Sequence, residues 1–294
     1  MKKRFLFEKA FQFKNSMVYP VIFVLLLVIV LPLAHSFYVS LHYFIFQFGM
    51  GDWTYAKNYI NAFKEKDFLI SMKNTFVLTF SVVSLEFTIA MILSLFLNRE
   101  DVKLRKIYTI ILMIPIMMPP IAVGLIWRML LHPELGIINY LIGLVGIRPL
   151  GWYGDPKLAM LTVIGVDVWH ETSLILIILL AGLTSLDKTP YEAAKVDGAS
   201  SFQVFIYITL PMLAPVITVA ILIRMIAAIK TYDLIYILTR GGPGHKTDTM
   251  SYYVFKMAFR KMSVGDAAAQ SFILLVIILV LSLILIKSME IKRQ

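Results

Sequence analysis

The chain has 294 residues, 59% of them hydrophobic and only 16% charged, with a mean hydropathy of +0.81. Ordinary soluble domains carry about 45–50% apolar and about 25% charged residues, so this surplus excludes a single water-soluble core and excludes intrinsic disorder. The net charge of +10 does not point to nucleic acid, because the basic residues cluster between apolar runs, the placement expected beside anionic lipid headgroups.

A helix needs about 20 apolar residues to cross about 30 Å of hydrocarbon. Six runs qualify. The first, 17–39, carries only His35 as an ionisable group and reads as a retained anchor rather than a cleaved signal, since the apolar run resumes at once as Phe37-Tyr38-Val39. The second, 75–97, is interrupted by Glu86 alone. The third, 107–131, contains Pro115, Pro119 and Pro120, with Arg128 near its end. The fourth, 158–183, carries Asp167, His170 and Glu171, and the fifth, 208–238, carries Arg224, Lys230 and Asp233. The sixth, 267–286, is uncharged. The sequence therefore predicts an all-α transmembrane fold, a six-helix polytopic bundle, with 1–16 as an N-terminal tail and 17–294 as one transmembrane domain.

Lys and Arg counts set the expected orientation. With the N-terminus inside, the inner segments hold 14 of these residues and the outer segments 10, and the dense loop Arg99–Lys106 lies inside. An even number of spans puts both termini in the cytoplasm, in a multi-pass protein of the cell membrane.

No energy-converting or catalytic motif stands out. Gly182-Leu183-Thr184-Ser185-Leu186-Asp187-Lys188-Thr189 comes nearest to a phosphate loop, but a Walker loop needs glycine where Asp187 stands. Neither H-E-x-x-H nor G-x-S-x-G occurs, and with no cysteine there is no thiolate nucleophile or cysteine-ligated metal. We expect no metal site, no enzyme activity and no cofactor bound by this chain.

The segment 184–211 is unusually well specified. Thr189-Pro190-Tyr191-Glu192 has the pattern of a capping box with proline at the first helical position, and Gly198 follows as a terminator. Ser200-Ser201-Phe202-Gln203 is a second box. This predicts two short helices joined by a glycine elbow. Helices shorter than about 12–15 residues are marginal alone, so the elbow either packs on its own bundle or docks as a rigid knob in a partner's groove.

Glu192-Ala193-Ala194, Gly198 and Ile208-x-Leu210-Pro211 together resemble the E-A-A-x3-G-x9-I-x-L-P loop of permease subunits of ATP-binding-cassette importers. Ala181-Gly182-Leu183, Asp197-Gly198-Ala199, Asn74-Thr75, Gly241-Gly242-Pro243 and Ala267-Ala268-Ala269-x-Ser271 resemble its carbohydrate-uptake branch, in the subunit type typified by the maltose F-subunit and the glycerol-3-phosphate A-subunit. The resemblance spans Ser71 to the C-terminus. It implies a sugar importer built from this permease, a homologous second permease, two cytoplasmic ATPases that use ATP and magnesium, and an extracytoplasmic sugar-binding protein. Glu192, Ala193, Ala194, Asp197, Gly198 and Pro211 would then form the ATPase-coupling loop.

Ionisable groups in hydrocarbon are costly and generally face a bundle interior. Asp167, His170 and Glu171 are spaced to share a face of one helix, as are Lys230 and Asp233. With Glu86 and Arg224, and with Trp169, Tyr232 and Tyr236 as ring surface beside Trp127, they are the candidate substrate path. The alternative for any one charge is simple pairing, such as Glu86 or Glu171 with Arg224, while Lys230 is placed to snorkel. The rival function is a proton- or sodium-coupled secondary transporter using Glu86, Asp167 and His170 as a relay.

Overall fold

Apolar runs become helices here wherever the backbone keeps its donors. The computed structural model describes residues 18–99 and 101–291; the expected tail 1–16 lies outside the described residues. In chain order the elements are α1 (Val18–Ser40), a hairpin of β1 (His42–Ile45) and β2 (Gly49–Trp53), α2 (Lys57–Lys64), α3 (Lys66–Leu97), α4 (Arg105–Met113), α5 (Pro120–Leu130) and α6 (Ile137–Leu144). Then come α7 (Ala159–Thr184), α8 (Thr189–Val196), α9 (Ser201–Val204), α10 (Leu210–Ile229), α11 (Asp233–Leu238), α12 (Met250–Phe255) and α13 (Val264–Ile291). A π-helical turn, Phe205–Thr209, joins α9 to α10 without a break.

Five stretches among the described residues are long and apolar enough to cross a membrane: Val18–Ser40, Lys66–Leu97, Ala159–Thr184, Ser201–Leu238 and Val264–Ser288. Each overlaps a predicted span. The predicted third span, 107–131, is not among them, because it is no continuous helix. Proline lacks the N–H that would bond one turn back, so α4 stops at Met113, a 3-10 turn covers Pro115–Met117, and α5 restarts at Pro120. The fifth predicted span, 208–238, also breaks, at 230–232 between α10 and α11. The all-α expectation is short of one feature, the hairpin, whose strands pair antiparallel with His42 opposite Trp53.

The chain divides into two units. One runs through Lys64 and includes Val254–Ile273. In it the hairpin is pinned by Asn58, whose amide donates to the Ser40 and His42 carbonyls at 2.8 and 2.9 Å, and the Phe46 N–H donates to the Met262 carbonyl at 2.9 Å. Gly265 allows this approach, for a Cβ there would stand 2.3 Å from the His42 carbonyl oxygen. Val18 through His35 of α1 are exposed along their whole length.

The other unit contains Glu65–Tyr253. Its core forms where α3, α7 and α10 pack: Ala90, Met91 and Leu97 meet Ile175, Leu176 and Leu179, with Leu213, Ile217 and Ala220 closing the third side. Small residues set the spacing, as is usual where lipid supplies no hydrophobic drive between helices. A Cβ on Gly182 would approach Leu213 and Val216 to 2.8 Å. At 32 residues α3 is about 48 Å long, well beyond the hydrocarbon thickness. Its early turns hold the Gly-Gly-Pro loop, with Asn74 donating to the His245 and Asp248 carbonyls at 2.8 and 3.0 Å.

Candidate functional site

Three helices each deliver one charged side chain to a single buried cluster. Glu86 comes from α3, Asp167 from α7 and Arg224 from α10. Arg224 grips the Glu86 carboxylate with two bonds, Nε to Oε2 at 2.6 Å and Nη2 to Oε1 at 2.9 Å, and Nη2 also donates to Asp167 Oδ2. Glu86 is 0% and Arg224 1% exposed, so the guanidinium is closed to any solute. The planar fork of arginine matches a carboxylate in this bidentate manner.

Two turns of α7 carry the remaining polar groups. His170 lies one turn from Asp167 and is buried; its Nδ1 stands 3.0 Å from Glu171 Oε1 and its Nε2 3.0 Å from the Met118 carbonyl. Glu171 thus pairs with His170 and not with Arg224. Trp169 is 41% exposed and meets Trp127 of α5 edge-to-face at 5.4 Å. Tyr232 and Tyr236 stack at 5.6 Å, with the Tyr252 ring beside both. Lys230 and Asp233 do not share a helical face as their spacing suggested, since α10 ends before Lys230 and Asp233 opens α11. Arg128 donates to the Ile237 carbonyl at 2.8 Å and ties α5 to α11.

The segment 184–211 forms the expected glycine elbow, with two corrections, the first being that its second helix is not short but runs from Ser201 through the π-helical turn into α10. Thr189 is not the cap of α8; it is already helical, and its N–H and hydroxyl both bond Asp187 Oδ1, at 3.1 and 2.9 Å. Those bonds from Thr189 hold the Asp187 carboxyl below the usual carboxylate range. Ionised Asp187 completes the turn at neutral pH, and its contribution fades as pH falls through that lowered value. Gly198 has φ +73°, the left-handed conformation that favours glycine. The second box is complete: the Ser200 N–H reaches Gln203 Oε1 at 2.8 Å and the Gln203 N–H reaches Ser200 Oγ at 3.4 Å. Replacing Ser200 with alanine should speed hydrogen exchange at the Gln203 amide by about fivefold, the equivalent of a typical lost cap.

The Tyr191 hydroxyl donates to Thr209 Oγ1 at 3.2 Å and so links α8 to the π-helical turn. Glu192, Ala193, Asp197, Gly198 and Pro211 are exposed, while Ala194 is buried beneath them. Val196 is 87% exposed, in company with Phe202 and Tyr207. A groove of about 510 Å³ lies in the elbow, lined in part by Tyr191, Lys195, Gly198 and Phe205. No group of three or more His, Asp or Glu placed to hold a metal ion occurs among the described residues.

Long apolar spans, a buried charge cluster between three of them and an exposed capped elbow define a polytopic membrane transport subunit. Residues 86–291 match the family of binding-protein-dependent transport system inner membrane components, and the chain belongs to that family. It is thus a multi-pass membrane protein and a permease component of an ATP-binding-cassette importer, not an enzyme. The chain is 35% identical to the trehalose/maltose transport system permease protein MalF of Thermococcus litoralis, over 95% of this chain and 94% of that one. It is also 35% identical to the probable ABC transporter permease protein y4oQ of Sinorhizobium fredii, over 90% of this chain and 85% of that one. Among solved structures, a chain of a bacterial ABC transporter that imports the acidic polysaccharide alginate has the same fold, with a TM-score of 0.84 and 23% identity over 96% of both chains.

Proposed function

We propose that this chain is one of two homologous permeases in an ATP-driven importer of an uncharged sugar. The second permease completes the transmembrane path, an extracytoplasmic binding protein delivers the sugar, and two cytoplasmic ATPases bind ATP and magnesium and seat the elbow 184–211. Both termini are cytoplasmic. The two limbs α4 and α5 together make the third of six crossings, which gives an even number of spans.

The observation that carries this reading is the elbow. A loop at the base of two spans is braced by Asp187, capped by Ser200, turned by Gly198 and tied to the following helix through Tyr191. It also leaves Val196, Phe202 and Tyr207 exposed, the apolar rim expected of a docking knob. Glu192, Ala193, Ala194, Asp197, Gly198 and Pro211 are the coupling residues.

The choice of an uncharged sugar rests on the charges. Arg224 is enclosed by Glu86 and Asp167 and offers nothing to a phosphate or a uronate. Trp169, Tyr232 and Tyr236 supply ring faces for the apolar sides of pyranoses, with Glu171 and Asp233 as hydrogen-bonding groups along the path, while Asp167 and His170 are held by Arg224 and the Met118 carbonyl. The Thermococcus litoralis relative, named for trehalose and maltose, supports the same class of solute.

The test is a cysteine at Ala193, the sole cysteine in a chain that otherwise has none. We expect a bifunctional crosslinker to join it to the ATPase in membranes, and vesicle uptake to follow ATP and ignore an uncoupler. Uptake that collapses with the uncoupler and proceeds without ATP would establish the secondary-transporter reading instead.

A further inference from the structure

Breaking a helix inside a membrane strands backbone carbonyls where no water can reach them, and a neighbouring element must satisfy them. Two such carbonyls lie at the break in the third crossing, Leu112 in the last turn of α4 and Met118 between the 3-10 turn and the start of α5. Both are taken by α7. Ser173 Oγ donates to the Leu112 carbonyl at 2.5 Å, and His170 Nε2 to the Met118 carbonyl at 3.0 Å. A carbonyl only accepts, so Nε2 carries the proton. Glu171, 3.0 Å from Nδ1, holds the ring with a proton between the two groups. His170 and Ser173 are three residues apart, hence on one face of α7, and both are buried.

We propose that His170 and Ser173 are positioning residues that clamp both limbs of the broken crossing to α7. A displacement entering α7 from the elbow then reaches α4 and α5 together, on both sides of the break. The clamp itself stands on the two hydrogen bonds; the transmission rests on the elbow acting as proposed above.

Because the chain has no cysteine, spin labels can be placed at will. In the assembled importer, one pair at Ile110→Cys and Leu161→Cys reports α4 against α7, and a second at Leu125→Cys and Leu161→Cys reports α5 against α7. All three positions are exposed. We expect a narrow distance distribution for both pairs in the parent chain. Ser173→Ala, which removes one oxygen and little volume, broadens the first pair. His170→Leu broadens the second, and His170→Gln, which retains an N–H donor, narrows it again. Unchanged widths in Ser173→Ala overturn the clamp, even if His170→Leu fails to fold.

The second readout is ATP consumed per sugar imported. Ser173→Ala should raise that ratio by about fivefold, the scale on which residues along a coupling route act. A proportional fall in both activities marks a purely structural loss and overturns the transmission. The distances are read without nucleotide, so they remain decisive if the parent importer takes up no sugar on ATP, a result that sinks the elbow reading alone.

Discussion

Arg224→Leu is expected to lower the stability of the permease by about 3–5 kcal/mol, the cost of leaving buried carboxylates without their counter-ion. Glu86 loses two bonds and Asp167 one, and neither can turn to water, being 0% and 6% exposed. The measurement is the thermal unfolding midpoint of the detergent-purified complex. Removing the whole cluster is a different experiment. Glu86→Leu, Asp167→Leu and Arg224→Met together should recover most of the midpoint, because a buried ion group replaced by apolar side chains of similar size is often neutral. The triple variant also separates the cluster's two possible duties: restored folding with restored uptake would show that it only binds α3, α7 and α10 together. An unaltered midpoint in Arg224→Leu would contradict the cluster as described.

The second large effect is expected at Gly198. Its φ of +73° is out of reach for proline, which is held near −65°, and the substitution also removes the N–H that bonds the Lys195 carbonyl at 3.3 Å. Gly198→Pro should therefore reshape the elbow at a cost of about 3 kcal/mol or more. Uptake should fall by about a hundredfold while the two permeases remain assembled, read by co-purification and vesicle transport in the same preparation. Gly198→Ala meets no atom within 4 Å and carries only the left-handed backbone cost of about 1–2 kcal/mol, so it should retain most of the transport. Full activity in Gly198→Pro would remove the elbow from the force path.

How far the sequence reaches is clear from individual residues. Length and hydropathy suffice for the five long helices, because burial in lipid rewards composition directly. Ser200 and Gln203 announce their box correctly, since a capping box is closed by residues three apart in sequence. Thr189 misleads because Asp187, two residues earlier, is the stronger acceptor and takes both of its donors. Prolines 115, 119 and 120 advertise the break in the third span, yet which side chains answer it depends on His170 and Ser173, more than fifty residues away. The cluster is legible as three costly charges, and Glu86 with Arg224 is a pairing the sequence already offers. That Asp167 joins them, and that Glu171 turns to His170 instead, is decided by the packing of α3, α7 and α10, which spacing along one helix does not contain.

The cluster also bears on how the chain is made. Glu86 and Arg224 are separated by 138 positions, so at about 5–20 residues per second the ribosome delivers the carboxylate roughly seven to twenty-eight seconds before its guanidinium. During that interval Glu86 waits for the guanidinium that grips it in the folded chain. Arg224 is therefore the last member of the cluster to be made, and a chain that stops upstream of it lacks the guanidinium that Glu86 and Asp167 share.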